Sequence, residues 1–148
     1  MFFLATADVQ GCPDCSYKGG DPGFVRVTSE SEIAFPSYDG NGMFRSLGSV
    51  LVNPAVALLF IDFEKPNRLR VNGRALITDD DELLAVFAGA QVVVRVRAER
   101  IFPNCPRYIS RLKTSEPSPY VPRAGTPPVP NWKRMEMFAD VLPREGDD

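Results

Sequence analysis

The order of strand-like and helix-like segments is the feature of this sequence that most restricts its fold. Four short segments of strand composition come before any segment with helical periodicity, at residues 2–7, 15–17, 24–27 and 33–35. Turn-forming residues at 8–11 and 19–23 separate the first three of them. A parallel pair of strands needs a long crossover connection, so strands joined by short turns pair antiparallel. The pattern therefore disfavours a doubly wound sheet and favours an antiparallel barrel.

The rest of the chain adds further strands and short helices. A continuously apolar run at 55–61 predicts a central strand, and alternating patterns predict strands over 68–77 and 92–97. Helical spacing predicts one helix over 43–52, with Asn41 as its cap. An acidic start and a glycine stop predict a second helix within 78–89, and 104–113 predicts a third. We therefore expect six to seven strands decorated by short helices.

Length and charge limit the domain count and the partners. The 148 residues are 44% hydrophobic and carry a net charge of −2, which predicts one globular domain without a general attraction for nucleic acid. The longest nearly apolar run, at 54–61, is shorter than the roughly 20 residues that span a bilayer. The start of the sequence has no secretory pattern, and three cysteines are an odd number. We expect a cytoplasmic protein that binds neither nucleic acid nor membranes.

The C-terminal part differs in composition from the rest. Six of the 14 prolines lie between residues 115 and 131, which prevents a regular helix and favours an extended segment. The segment 132–142, which includes the only tryptophan, Trp132, is expected to form an amphipathic turn or helix. We therefore divide the chain into a barrel at 1–114 and a C-terminal arm at 115–148, which belongs to the same domain or to a dimer interface.

The absence of histidine excludes several kinds of catalytic and metal site. A chain with no histidine has no Ser-His-Asp triad, no His-ligated zinc and no haem held by imidazole. Cys12 and Cys15 have the CxxC spacing, but zinc needs four ligands and only Cys105 remains. We predict no metal site and two unpaired thiols on a hairpin. A chain of this kind is a good candidate for chemistry carried by a borrowed cofactor.

Two glycine-containing segments are candidates for phosphate recognition. Residues 39–46 place flexible backbone before a helix start, where free amides and the helix dipole favour an anion, and Arg45 and Ser46 fall in the first turn. Lys18 precedes a second glycine cluster at 19–23. Neither standard nucleotide-binding loop is present. The alternatives are a turn with a solvated arginine and a mobile surface hairpin.

Two charged groups allow more than one interpretation. Arg68 and Arg70 share one strand face and could bind an anionic substrate or form surface salt bridges. The acidic run at 79–82 lacks the alternating spacing of a cation site and fits a solvated helix start.

Several of these segments, taken together, resemble one protein family. The motifs lie at 3–7, 18–25, 35–48, 53–63 and 68–73. In this order they resemble the pyridoxamine 5′-phosphate oxidase-like family of FMN-binding split-barrel proteins, over most of residues 2–113. The segment at 101–109 is similar to a motif of an uncharacterised bacterial branch of that family.

The resemblance implies a fold, a cofactor and a set of site residues. It implies a mainly β protein, a six-stranded antiparallel split β-barrel with two to three short helices, forming a homodimer with FMN in each of two interface clefts. Arg45 with Ser46, and then Lys18, would hold the phosphate. The other residues that the resemblance places at FMN are Asn41 and Gly42 near the phosphate or ribityl chain, Phe24 and Val25 near the isoalloxazine, and Asn104, Arg107 and Tyr108 contributed across the interface.

Departures from the family pattern narrow the expected activity. True pyridoxamine-phosphate oxidases carry a Ser-Arg-Lys triplet at the helix start, whereas this chain reads Phe44-Arg45-Ser46. They also carry an Arg-x-His element near the C-terminus, which a chain without histidine cannot have. Relatives usually have an additional helix before the first strand, so the sequence begins late or lacks it. Oxidation of pyridoxamine phosphate is therefore not expected.

Three functions remain open. The first is an FMN-dependent oxidoreductase that transfers hydride through flavin N5, with NAD(P)H or another small molecule as reductant and with an unknown substrate. The second is a reductase of the same fold that uses deazaflavin F420. The third is a flavin-storing or interaction protein without turnover, with the arm as its binding element. No catalytic side chain is predicted.

Overall fold

The fold is one antiparallel sheet with its main core on one face and a small second cluster, of Ala34, Phe87 and Val93, on the other. The computed structural model describes residues 1–114, 116–123, 127–140 and 142. The strands are β1 (Phe2–Ala7), β2 (Pro13–Lys18), β3 (Arg26–Ser29), β4 (Glu32–Tyr38), β5 (Ala55–Asp62), β6 (Asn67–Thr78) and β7 (Ala90–Pro103). They are arranged in the order β2-β1-β5-β6-β7-β4-β3, and every neighbouring pair is antiparallel. The edge strands β2 and β3 do not pair with each other, so the sheet is open, as in a split barrel.

One α-helix and three short 3₁₀ helices complete the described structure. Helix α1 spans Arg45–Val52, and the 3₁₀ helices span Glu82–Ala85, Asn131–Arg134 and Glu136–Phe138. No helix among the described residues combines the length and the apolar composition needed to cross a membrane.

The main core lies on one face of the sheet. Alternate residues of β1 and of the first half of β5 point toward it, so Phe2 and Leu4 of β1 and Leu58 of β5 are almost completely buried. Helix α1 covers one end of this core through Val50, which is 4% exposed. This packing fixes the start of α1 against β1 and β2.

The mainly β, antiparallel prediction is confirmed, with seven strands rather than six. The middle strand is β6, however, and not the apolar segment that forms β5. Residues 55–61 are continuously apolar, but β5 is not buried on both faces. Only Val56 and Leu58 are buried, and the other apolar side chains of the strand are half-buried or exposed. A continuous apolar run was therefore a poor guide to the central position.

The predicted helix at 104–113 is wrong. Strand β7 continues to Pro103, and the residues after it are irregular. Pro106 has no amide hydrogen to donate in a helical hydrogen bond. The Leu112 amide instead donates to the carbonyl of Phe63, outside the segment, at 3.1 Å. The segment therefore lies against the β5–β6 turn.

The other predicted helices are shorter than expected. Helix α1 begins at Arg45, two residues later than predicted, because the Asn41 side chain accepts from the Met43 amide at 3.1 Å and closes a separate turn. The helix predicted within 78–89 is a single 3₁₀ turn capped by Asp81, whose carboxylate accepts from the Leu83 amide. Around Trp132 the structure has two 3₁₀ helices. Residues 115, 124–126, 141 and 143–148 of the predicted arm lie outside the described residues.

Candidate functional site

A cleft of about 440 Å³ opens between β2, the end of β4 and the start of α1. We call it the β2–α1 cleft. Its volume lies in the usual range for a small-molecule site. Residues 40–42 form its outer rim, and Ser37 and Tyr38 of β4 form one wall.

Strand β2 presents a polar face to this cleft. Asp14, Ser16 and Lys18 point the same way because side chains of a strand alternate between its faces. The alternation also leaves them less exposed than Pro13 and Tyr17, which lie on the other face of the strand. The cleft therefore receives one carboxylate, one hydroxyl and one ammonium from a single strand.

The first turn of α1 forms the opposite side of the cleft. Ser46 is 7% exposed, and its hydroxyl lies 2.9 Å from the Ser16 hydroxyl, which joins helix to strand. Phe44 occupies the cap position, and no side chain there accepts from the first amides of the helix. The first turn also contains no acidic residue. The positive end of the helix dipole is thus left for an anion.

Two cations, Lys18 and Arg45, line the β2–α1 cleft. Lys18 is half-buried, and burial lowers the pKa of its ammonium, while the charge of Asp14 opposes that shift. The Arg45 guanidinium is 64% exposed and only loosely paired, with its Nε 3.8 Å from Asp14 Oδ1. Because neither cation makes a close ion pair within the described residues, both remain available for an incoming anion.

Comparisons with known proteins identify the fold family. The sequence model described as pyridoxamine 5′-phosphate oxidase matches residues 1–115 of the 148. The chain belongs to the pyridoxamine 5′-phosphate oxidase family. This membership confirms the resemblance inferred from the motifs. No curated protein matched the sequence.

Solved structures of other proteins share the fold of this chain. HupZ of Group A Streptococcus is 18% identical, its match covers 76% of this chain and 89% of its own, and it superposes with a TM-score of 0.55. A candidate pyridoxamine 5′-phosphate oxidase from Lactobacillus delbrueckii is 23% identical, with coverages of 68% and 82% and a TM-score of 0.54. At such identities the likeness concerns the fold alone.

Half of the ten site residues predicted from the sequence lie together in the structure. The β2–α1 cleft is lined by five of them: Lys18, Asn41, Gly42, Arg45 and Ser46. Phe24 and Val25 lie outside it. The Phe24 ring stacks on the core residue Phe2, with centroids 5.9 Å apart, and Val25 also packs against the core.

The remaining three predicted residues lie beyond β7 and do not reach the cleft of their own chain. Arg107 and Tyr108 are exposed, Tyr108 to 91%. Asn104 is half-buried, and its side-chain oxygen is buried without a hydrogen-bond partner among the described residues. A contribution of these three residues across an interface stays a prediction.

The cleft residues that sequence reasoning did not place at the site include four with polar side chains: Asp14, Ser16, Ser37 and Tyr38. The period of two along β2 was the available signal, since Lys18 was already a candidate and a strand places the residues two and four positions earlier on the same face. Ser37 and Tyr38 carry no comparable signal, because their position depends on the pairing of β4 with β7.

The sequence also singled out two arginines of β6 and the three cysteines. Arg68 and Arg70 sit on the outward face of β6, and neither forms an ion pair within the described parts of the chain. Cys12, Cys15 and Cys105 are free and exposed, and Cys15 borders the cleft. In the described residues no three acidic or cysteine side chains are grouped as metal ligands.

Proposed function

We propose that this protein binds FMN with its phosphate in the β2–α1 cleft and acts as a flavin-dependent oxidoreductase. The observation that carries the proposal is that Lys18 and Arg45 line one cleft with an uncapped helix start and the Ser16 and Ser46 hydroxyls. Membership of a family named for an oxidase supports the redox assignment.

The chemistry of the donor set fits a phosphate monoester. Two cations can balance its charge, free amides of the helix start can donate to its oxygens, and the hydroxyls can complete the set. Asp14 also lines the cleft, but its contact with Arg45 is loose at 3.8 Å, so a phosphate can compete with it for the guanidinium. Bound FMN would supply hydride transfer through its ring, whereas the side chains described here bind and orient it.

A homodimer is the second part of the proposal. Three large apolar side chains are exposed on the sheet, Val27 to 78%, Leu69 to 39% and Ile101 to 57%. They line an apolar groove of about 290 Å³ whose lining also includes Phe60 and Val71. An exposed contiguous apolar surface is typical of an interface. We assign this surface, together with the segment around Asn104, to contact with a second copy.

The oxidoreductase function is tested by adding NADH or NADPH to the FMN-loaded protein without oxygen. We expect the flavin absorbance to bleach and to return when air is admitted. A protein that binds FMN but is reduced by neither nucleotide would be a flavin-storing protein instead. Binding of deazaflavin F420 much more tightly than FMN, in a competition titration, would replace FMN as the cofactor.

A further inference from the structure

The C-terminal arm is fastened to the two glycine-containing loops of the barrel. Arg123 donates from Nε and Nη2 to the two oxygens of Asp21 at 2.6 and 2.5 Å, and this pairing lowers the pKa of the Asp21 carboxyl. Further along the arm, Lys133 pairs with Asp39 beside the rim of the β2–α1 cleft. Both contacts join residues that are about a hundred positions apart in sequence.

A third contact holds the arm against the barrel. A Cβ atom at Gly89 would stand only 2.6 Å from Pro122, so the arm lies directly on that glycine. Contacts at Pro122, Arg123 and Lys133 therefore hold the described parts of the arm against the barrel.

The arm forms one wall of a cavity that is open to solvent, and the barrel forms the other wall. The cavity measures about 910 Å³ and is lined by residues 116–121 and Arg123 of the arm, and by Tyr17, residues 19–22 and Thr114 of the barrel. We call it the arm cavity. Tyr38 lines both the arm cavity and the β2–α1 cleft, so the two spaces are neighbours.

The lining of the arm cavity is aromatic and rigid. Tyr17 is 60% exposed and Tyr120 is 53% exposed, so each has ring surface available for contact. Prolines at 117 and 119 supply further apolar surface of fixed backbone geometry. Asp21 and Arg123 neutralise each other in its wall, and Glu116 adds one further carboxylate. Aromatic faces and prolines of this kind favour a flat conjugated ring over a flexible or highly charged molecule.

We propose that the arm cavity binds a planar conjugated ring and that the C-terminal arm is its specificity-determining wall. The ring belongs either to the flavin whose phosphate lies in the neighbouring cleft or to a substrate placed beside it. This inference rests on the proposed FMN site. It goes beyond the family assignment because the family match ends at residue 115, where the arm begins.

Charge reversal at the arm's ion pair tests the proposal. Arg123→Asp places two carboxylates together and should release the arm, and the double variant Asp21→Arg/Arg123→Asp should restore the attraction. Arg134→Asp is the matched control, because Arg134 is an exposed arginine of the same arm. Two probes are used. Riboflavin, which has the flavin ring without the phosphate, is added to the flavin-free protein. Quinoline, a neutral two-ring compound, is added to the FMN-loaded protein.

The two probes separate the two sources of the ring. If the ring is the flavin's own, Arg123→Asp should weaken riboflavin and FMN by the same factor, about tenfold. If it is a substrate's, riboflavin should be unaffected and quinoline weakened. In either case the double variant should recover most of the loss and Arg134→Asp should lose nothing. Unchanged affinity for both probes in Arg123→Asp would overturn this inference while leaving FMN binding intact, whereas a wild-type protein that binds no FMN would overturn the proposed function.

Discussion

Phe44 shows how a single residue shapes the candidate site. Its backbone is left-handed, with φ 48° and ψ 26°, and among the described residues it is the only one other than glycine with a positive φ. This conformation costs a residue with a Cβ atom about 1–2 kcal/mol. Strained residues concentrate at binding sites, and Phe44 stands where the turn at 39–43 becomes the uncapped start of α1. No pattern in the sequence predicted this conformation, because phenylalanine rarely adopts it.

Relief of this strain should be measurable. We expect Phe44→Gly to have a free energy of unfolding about 0.5–1 kcal/mol higher than Phe44→Ala, since glycine avoids the left-handed penalty but loses more entropy on folding. Both variants remove the ring, so the difference isolates the backbone. Urea denaturation of the two proteins provides the comparison. A Phe44→Gly protein less stable than Phe44→Ala would mean that the backbone there is not strained.

At the scale of elements, local sequence patterns were sufficient to predict most strands but not to predict the helices correctly. Alternation and short turns identified the strands because side-chain period and turn chemistry are local properties. The false helix at 104–113 had apolar residues at helical spacing, yet Pro106 and the contact of Leu112 with Phe63 keep it irregular. The polar face of β2 was readable in the same local way, whereas the wall formed by β4 depends on its non-local pairing with β7.

An ion-pair cluster attaches the 3₁₀ turn at 82–85 to the sheet. Arg95 of β7 donates to both oxygens of Asp81, at 2.5 and 2.9 Å, and to Glu32 of β4 at 2.8 Å. The Asp81 side chain is 3% exposed, and its hydrogen bonds with Arg95 hold the pKa of its carboxyl well below the usual range. The pKa of Glu32 is lowered by hydrogen bonds from Thr28 and Arg95.

This cluster predicts how stability depends on pH. A carboxyl with a depressed folded pKa stabilises the fold above its unfolded pKa of about 4, and the contribution is lost as pH falls toward the folded value. We therefore expect Asp81→Asn to lower the free energy of unfolding by about 2–3 kcal/mol at pH 7 and by progressively less below pH 4. Asp80→Asn is the matched control, because Asp80 is exposed and makes no ion pair within the described chain. Equal stability of Asp81→Asn and Asp80→Asn at pH 7 would contradict the role of the cluster.

At the scale of the whole molecule, the family assignment was accessible from the sequence and the course of the arm was not. The motifs along residues 2–113 predicted the family because each occupies a fixed place in one fold. The composition of 115–131 predicted an extended segment but not its position. That position depends on Arg123 meeting Asp21, 102 residues away, and no local pattern encodes such a pairing.

The proposed dimer gives a whole-molecule prediction. Val27→Lys combined with Ile101→Lys places two charges in the exposed apolar groove and should convert a dimer into a monomer, because burying an unpaired charge at an interface is strongly unfavourable. Val9→Lys is the control, since Val9 is also 78% exposed but lies in the turn between β1 and β2. Light scattering at micromolar concentration distinguishes the states. A wild-type protein that is already monomeric would contradict the proposed interface.

Titration of FMN and riboflavin into the wild-type protein and into Arg45→Ala separates the phosphate from the ring. We expect the wild-type protein to bind FMN more tightly than riboflavin. Arg45→Ala should lose about 1.5–3 kcal/mol of FMN affinity, the range for a charged hydrogen bond, and keep its riboflavin affinity. Arg26→Ala, which removes an exposed arginine of β3 outside the cleft, should bind both ligands like the wild type. Equal FMN affinity in Arg45→Ala and the wild-type protein would contradict a phosphate site at the start of α1.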